Sequence, residues 1–340
     1  MIFKQNSKFQ IISWSSIATQ KDSALLLGNG ASMAVDKKFS YTSLLNEFAY
    51  KGFFNIEEIS LFDYFDTNDF EMILRFLWQS KHVNQALDIF NPKIDSTYKN
   101  VKSALIHGVS ELHSEYDDVF NDLEPISQFM SKFDTVFSLN YDLIVYWAMM
   151  YGNNNPKHSF KDCFKHGVFD YEWQKYKSPI RFQESCTLIF YPHGSLALAR
   201  SIIFGQEYKI ANSTTYSLLD GIQNEWEKDD IIPLFISEGT VEQKVHSIQT
   251  TRYLNCVLNE VMPFPRSHWV IYGWGFGDQD AHILKSIKKS GAKRLSISVY
   301  RGSDEQEFCG RVYSAIHREF GHFIDIEFFD SYSPKCWNNA

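Results

Sequence analysis

Residues 24–32, ALLLGNGAS, constrain this chain more than any other stretch. Apolar residues run straight into a Gly-Asn-Gly turn, and Ser32 follows where a helix can begin. A short apolar run bounded by glycine reads as a strand buried on both faces, which belongs in a parallel sheet covered by helices. Glycines at 28 and 30 allow a sharp turn and a close approach to a ligand with no Cβ in the way. The free N–H groups at a helix start suit a pyrophosphate. An ordinary strand–turn–helix junction would read the same way. A dehydrogenase fingerprint is excluded, because position 33 is Met where a third glycine is needed. Nor does an acidic residue close a second strand about twenty residues on.

Further apolar runs end at glycine or polar punctuation, at 133–139, 187–191, 232–237, 269–272, 295–300 and 323–329, with the first strand at 23–27. Helical patterns fall among them at 142–150, 217–226, 239–261, 280–289 and 304–320. Strands alternating with helices predict an α/β fold, a Rossmann-like, mostly parallel sheet flanked by helices. Residues 42–130 break that rhythm. They carry apolar residues at helical spacing, such as Phe70, Ile73, Leu74, Leu77 and Trp78, then Val101, Leu105, Ile106, Val109 and Leu112. The expected organisation is one domain over 1–340, with a core of 22–41 plus 131–330 and an all-helical insertion at 42–130. Residues 151–185 read as a loop-dominated excursion near the ligand cleft.

A net charge of −8 and a pI near 5.8 leave no basic stripe to neutralise phosphates, so no direct nucleic-acid partner is expected. Five cysteines stand singly, without a CxxC pair, so a four-cysteine zinc site is excluded and no metal is expected. Polar residues fill the opening ten positions where a signal peptide would be apolar, and no run reaches the length of a membrane span. A cytoplasmic protein with no membrane partner is expected.

Three further motifs sit at strand ends. In SLNYD, Asn140 and Asp142 would project from the carboxyl edge of the sheet, where open α/β folds bind ligands. Asn140 can hold a ribose hydroxyl or a water, or cap the next helix, and Asp142 can anchor that helix. In YPHGS, Pro192 extends the chain and His193 follows at the strand end beside Gly194, a good place for a general base. Histidines 82, 107, 113, 246 and 317 read as helix-surface or core residues. In YGWGFGDQD, Gly273, Gly275 and Gly277 form either an anion-binding concavity or a glycine-rich turn with a capped helix. Trp274 could pack on an adenine, and Asp278 and Asp280 could accept from ribose hydroxyls.

Taken in order, a glycine loop with Ser, an Asn at a strand end, an HG pair and a late glycine-rich turn resemble the sirtuins. The tighter similarity is to sirtuin-like bacterial proteins without the deacetylase zinc module, which carry LLLGNGxS, FSYxSLL, NYD, HG and VSEGTxEQK. This chain has FSYTSLL at 39–45, NYD at 140–142, His193-Gly194 and ISEGTVEQK at 236–244. The resemblance runs from about Leu25 to Asp280, with GNG in place of the sirtuins' GAG and Tyr-Asp in place of Ile-Asp.

The resemblance implies NAD+ as substrate, with Asn140, His193 and Asp142 at the nicotinamide ribose. It places Gly28, Asn29, Gly30, Ser32, Gly273, Trp274 and Asp278 around the rest of the dinucleotide. It implies an NAD+ glycohydrolase of the antiphage abortive-infection type, held in check by homo-oligomerisation or a separate sensor subunit. One such sensor is similar to inosine-triphosphate pyrophosphatases. The alternatives are a non-catalytic NAD+ or ADP-ribose sensor and a protein deacylase or ADP-ribosyltransferase.

Overall fold

Strands whose residues are all apolar and buried have no solvent face, and the sheet they build here is parallel throughout. The computed structural model describes residues 8–20, 22–40, 44–179, 183–210, 218–236, 239–302 and 304–339. In chain order the strands begin with β1 (Ile11–Ile12), β2 (Ala24–Leu27), β3 (Thr135–Ser138), β4 (His158–Lys161), β5 (Phe164–Lys165) and β6 (Val168–Phe169). They continue with β7 (Ser185–Phe190), β8 (Gly194–Ser201), β9 (Glu207–Lys209), β10 (Ile231–Phe235), β11 (His268–Tyr272), β12 (Arg294–Val299) and β13 (Asp325–Asp330). Eight of them form the main sheet in the order β1-β13-β12-β11-β2-β3-β7-β4, every neighbouring pair parallel.

From β2 the chain goes to β3 on one side and later returns to β11 on the other. Leu27 is level with Ser138 across one edge and with Tyr272 across the other. The carboxyl ends of β2, β3 and β11 therefore meet at one height, at the switch point where a crevice opens in doubly wound sheets.

Helices cover the sheet. They are α1 (Asn29–Val35), α2 (Leu44–Tyr50), α3 (Ile56–Tyr64), α4 (Phe70–Ala86), α5 (Pro92–Leu112) and α6 (Tyr116–Met130). The rest are α7 (Ile144–Gly152), α8 (Leu218–Trp226), α9 (Val241–Gln249), α10 (Arg252–Cys256), α11 (Ala281–Lys289) and α12 (Glu305–Phe320). The fold is α/β and Rossmann-like, and five helices, α2 to α6, lie in sequence between β2 and β3. Their apolar stripes pack inward: Ile73 and Leu74 of α4 and Val101 and Leu105 of α5 are buried. Phe48, Phe54, Phe62 and Phe70 interlock with ring centroids 5.2–6.1 Å apart. Caps define the ends, with Asn55 and Glu58 forming a reciprocal capping box on α3 and Asp69 accepting from the Met72 N–H on α4.

Three expectations change. The run at 232–237 is β10, but it pairs antiparallel with β8 in a separate three-stranded sheet, β10-β8-β9. A wholly buried strand reads the same in either kind of sheet, and the buried β8 offers β10 an edge. The helix read over 239–261 is divided into α9, α10 and a π-helical turn at Val257–Val261. At the break, Thr250 and Thr251 both donate their hydroxyls to the Ser247 carbonyl, and Thr251 is extended. Residues 151–185 contribute β4 to the sheet edge and a small β5–β6 hairpin, and none of the described ones lines the cavity described below. Within the quoted motifs, Tyr41, Thr42, Ser43, Ser237 and Glu238 lie outside the described residues, as does Ser217.

Candidate active site

The two glycine loops at the switch point are fastened to each other. Gly28 N–H donates to the Tyr272 carbonyl at 2.9 Å, and Gly30 N–H donates to the Gly273 carbonyl at 2.8 Å. A Cβ on Gly28 would stand 2.6 Å from the Trp274 Cα, and one on Gly273, where φ is +68°, would stand 2.3 Å from the Ala31 nitrogen. These glycines permit a close approach between the two loops. Gly275 differs: nothing lies within 4 Å of its Cβ position, and it lines the cavity.

Beside this seam, the Asn140 side chain is locked. Its Nδ2 donates to the Gly28 carbonyl at 3.0 Å and to Ser32 Oγ at 2.8 Å. A carbonyl can only accept, so the amide orientation is settled and Oδ1 is turned away from Gly28. Ser32 Oγ–H in turn donates to Asp142 Oδ2, and Asp142 Oδ1 accepts from Ile144 N–H at 3.0 Å. Ser32, Asn140 and Asp142 therefore form one buried relay joining the first glycine loop to the segment after β3. Burial raises the Asp142 carboxyl above its usual value, with His113 nearby pulling the other way. His113 accepts from Leu143 N–H through Nε2, and its Nδ1 faces the Ser114 carbonyl, so it is neutral with the hydrogen on Nδ1. Burial lowers its pKa accordingly.

His193 is placed by the small sheet. Gly194 N–H closes a turn onto the Tyr191 carbonyl, and the His193 carbonyl accepts from Ile236 N–H at 2.7 Å. Gly194 has φ +79°, and a Cβ there would meet the Leu234 carbonyl oxygen at 2.2 Å, so the position after His193 requires glycine. The His193 ring is buried, with Nε2 2.9 Å from His282 Nε2. Burial pushes His193 down to about 3 and His282 down to about 4, so both rings are neutral at pH 7. Next to them Lys244 Nζ donates to Asp280 Oδ1 at 2.8 Å in a buried ion pair. Burial works to raise the Asp280 carboxyl, but the facing His193 and the Lys244 ammonium outweigh it and hold it below the usual range.

These groups surround one cavity of about 460 Å³. Of the expected site residues, Gly28, Asn29, Gly30, Asn140, Asp142, His193, Gly273 and Trp274 line it. Ser32 stands behind the wall as the link between Asn140 and Asp142, and Asp278 is exposed outside it, while Asp280 takes the place at the wall. Trp274 is buried with one ring neighbour, Phe276, at 4.1 Å between centroids, so the indole is packed rather than splayed open. His282 had no sequence signal of its own, and Lys244 appeared only as the last residue of ISEGTVEQK, since both meet His193 only through folding. The nitrogens and oxygen of His193, His282 and Asp280 converge within 4.8 Å, close enough to be weighed as a cation site. The Lys244 ammonium pairs with Asp280, and the two Nε2 atoms are within hydrogen-bond distance of each other, while His282 Nδ1 is buried without a hydrogen-bond partner.

Among the described residues no helix is long and apolar enough to cross a membrane. A family model described as "Domain of unknown function (DUF4917)" matches residues 25–337. No curated protein matches the chain. Among solved structures, one described as "Structural Basis for the Mechanism and Regulation of Sir2 Enzymes" is similar at 12% identity with a TM-score of 0.32. That similarity covers 88% of this chain and 92% of the other.

Proposed function

We propose that this chain, which belongs to the DUF4917 family, is an NAD+ glycohydrolase that cleaves the nicotinamide–ribose bond. One observation carries the reading. A half-open cavity at the switch point is lined by both an oriented Asn140 amide and a neutral His193. The cavity has the volume of a small-molecule site, and the motifs that build it follow the sirtuin-like order.

The chemistry asks little of such a site. Nicotinamide leaves a cationic glycoside as a neutral molecule, so the leaving group needs no acid, unlike in ordinary glycosidases with paired carboxylates. What remains is to hold an oxocarbenium-like ribose, orient a water against C1′ and accept its proton. Asn140 Oδ1 accepts from the water or a ribose hydroxyl. His193 takes the proton, and Asp142 acts through Ser32 to keep Asn140 in place. The products are nicotinamide, ADP-ribose and a proton, and no metal takes part in this scheme.

Unchecked hydrolysis would drain a cell of NAD+, so the activity is under control, by homo-oligomerisation or by a separate sensor subunit. An antiphage abortive-infection effector, triggered during infection, fits such an activity. The test is nicotinamide release from NAD+ by the purified protein, alone and with the products of neighbouring genes. It compares wild type with His193→Ala and Asn140→Ala. Loss of the base is expected to cost about 100- to 10,000-fold in rate. Binding of NAD+ without nicotinamide release under any of these conditions would leave a sensor instead. Turnover appearing only with an acyl-lysine peptide, or protein-linked ADP-ribose, would point to transfer.

A further inference from the structure

The contact between His193 Nε2 and His282 Nε2, at 2.9 Å, joins residues that lie far apart in sequence, and only one of the two nitrogens can carry the hydrogen between them. We propose that His282 is a positioning residue that keeps His193 in the Nε2–H tautomer, leaving Nδ1 bare toward the cavity, and that the pair then relays the proton Nδ1 accepts. The proposal rests on the hydrolytic reading above for what His193 does, but not for which tautomer it holds.

Three features of the site support it. His193 lines the cavity, and among the described residues its Nδ1 has no hydrogen-bond partner, so that nitrogen is the one available to a ligand. Asn140 lines the cavity too, and its Oδ1 is an acceptor. A water held between two acceptors donates both hydrogens and turns a lone pair to C1′, whereas an Nδ1–H facing it would compete for that lone pair. Finally, the charge has somewhere to go. Asp280, kept ionised by Lys244 on α9, faces both rings from the start of α11, and Lys285 on the same helix is the opposing positive charge.

The step balances as follows. The water oxygen bonds to C1′ as the C1′–N bond breaks, and that bonding pair leaves with nicotinamide. The water proton passes to His193 Nδ1, and the Nε2 proton crosses to His282 Nε2. His282 then carries hydrogens on both nitrogens as an imidazolium opposite the Asp280 carboxylate, and it returns the proton to solvent after product release. His282 Nδ1, buried without a hydrogen-bond partner, carries that ring's hydrogen in the resting state, so the relayed proton arrives on Nε2.

The test uses the intact protein labelled with ¹⁵N-histidine. In wild type, His193 is expected to show an unprotonated Nδ1 and a protonated Nε2. In His282→Phe, which keeps a ring but removes the acceptor, those signals are expected to move toward a mixture of tautomers. The same variant should lose about 10-fold or more in kcat, a part of what the base itself supplies, while KM for NAD+ stays put. His282→Gln, whose amide oxygen can accept from Nε2–H, should recover part of the loss. A wild-type His193 protonated at Nδ1 would overturn the proposal, with or without any activity. So would a His282→Phe protein whose signals and kcat match wild type. Activity removed by EDTA and restored by zinc would also overturn it, assigning the trio to a cation. A wild type that shows the expected tautomer but never releases nicotinamide would retire the hydrolytic reading and leave the tautomer assignment standing.

Discussion

Ser32→Ala removes one oxygen that serves two partners. Ser32 Oγ accepts from Asn140 Nδ2 and donates to Asp142 Oδ2, and all three residues are buried. Taking it away leaves a carboxylate oxygen without its donor and an amide hydrogen without its acceptor, in a place water does not readily reach. An orphaned buried polar group costs about 1–3 kcal/mol, with charged groups at the upper end, so the two together come to about 2–6 kcal/mol. With an unfolding entropy of about 2.1 cal/mol/K per residue, a chain of 340 residues changes stability by about 0.7 kcal/mol per degree near its midpoint. The variant should therefore melt about 3–8 °C below wild type. Function should fall further than stability does. Asn140 keeps its bond to the Gly28 carbonyl but loses the second tether that fixes its plane, and Oδ1 no longer points to one place. Differential scanning calorimetry measures the first effect, and nicotinamide release at a temperature where both proteins are folded measures the second. A variant that melts with wild type and turns over NAD+ at the same rate would refute the claim that this relay orients Asn140.

Other perturbations follow from the same geometry. His193, His268 and His282 are held by burial at about 3, 4 and 4, below the ordinary histidine value of 6.5, so the unfolded chain binds protons that the native protein refuses. Their contribution to stability is complete above pH 6.5 and declines as pH falls toward 4, by up to about 1.4 kcal/mol per pH unit for each ring. Urea unfolding at pH 7 and pH 5.5 should differ by several kcal/mol, and a flat profile would contradict the neutral buried rings. Lys244→Met strands the Asp280 carboxylate in the cavity wall and should cost about 3–5 kcal/mol, most of it recovered in a double variant with Asp280→Asn. A single variant as stable as wild type would mean the pair is solvated. Gly273→Ala forces a side chain into positive φ, worth about 1–3 kcal/mol before the clash with Ala31 is added. Gly275→Ala has open space and should stay within about 0.5 kcal/mol of wild type, so any loss of NAD+ affinity there reports on ligand approach alone.

The sequence exposed the parts of this molecule that depend on local chemistry. β2, β3 and β11 were legible because strands buried on both faces are unbroken apolar runs, and each ends in residues with special backbone or polar demands: Gly28, Asn140 and Gly273. His193 stood out for the same reason, at a strand end before a glycine. What folding alone decides was not legible. The run that became β10 carries no mark of which sheet it joins, and its antiparallel partner β8 begins at the glycine of the HG pair. Ser32 read as part of a phosphate loop, whereas its hydroxyl is committed to Asn140 and Asp142. His113 read as a core residue and is one, yet it also holds the Leu143 N–H that follows Asp142. His282 and Lys244 sit on helices with ordinary amphipathic spacing, and only the packing of α9 and α11 beside the small sheet brings them to His193.

The most direct measurement is a crystal structure of the His193→Ala protein with NAD+. The nicotinamide ribose should lie within hydrogen-bond reach of Asn140 Oδ1, with C1′ facing the space left by the His193 ring and the pyrophosphate beside Gly275. NAD+ bound the other way round, with adenine against Asn140, would contradict the proposed chemistry. NAD+ seated elsewhere on the protein with this cavity empty would contradict the site itself.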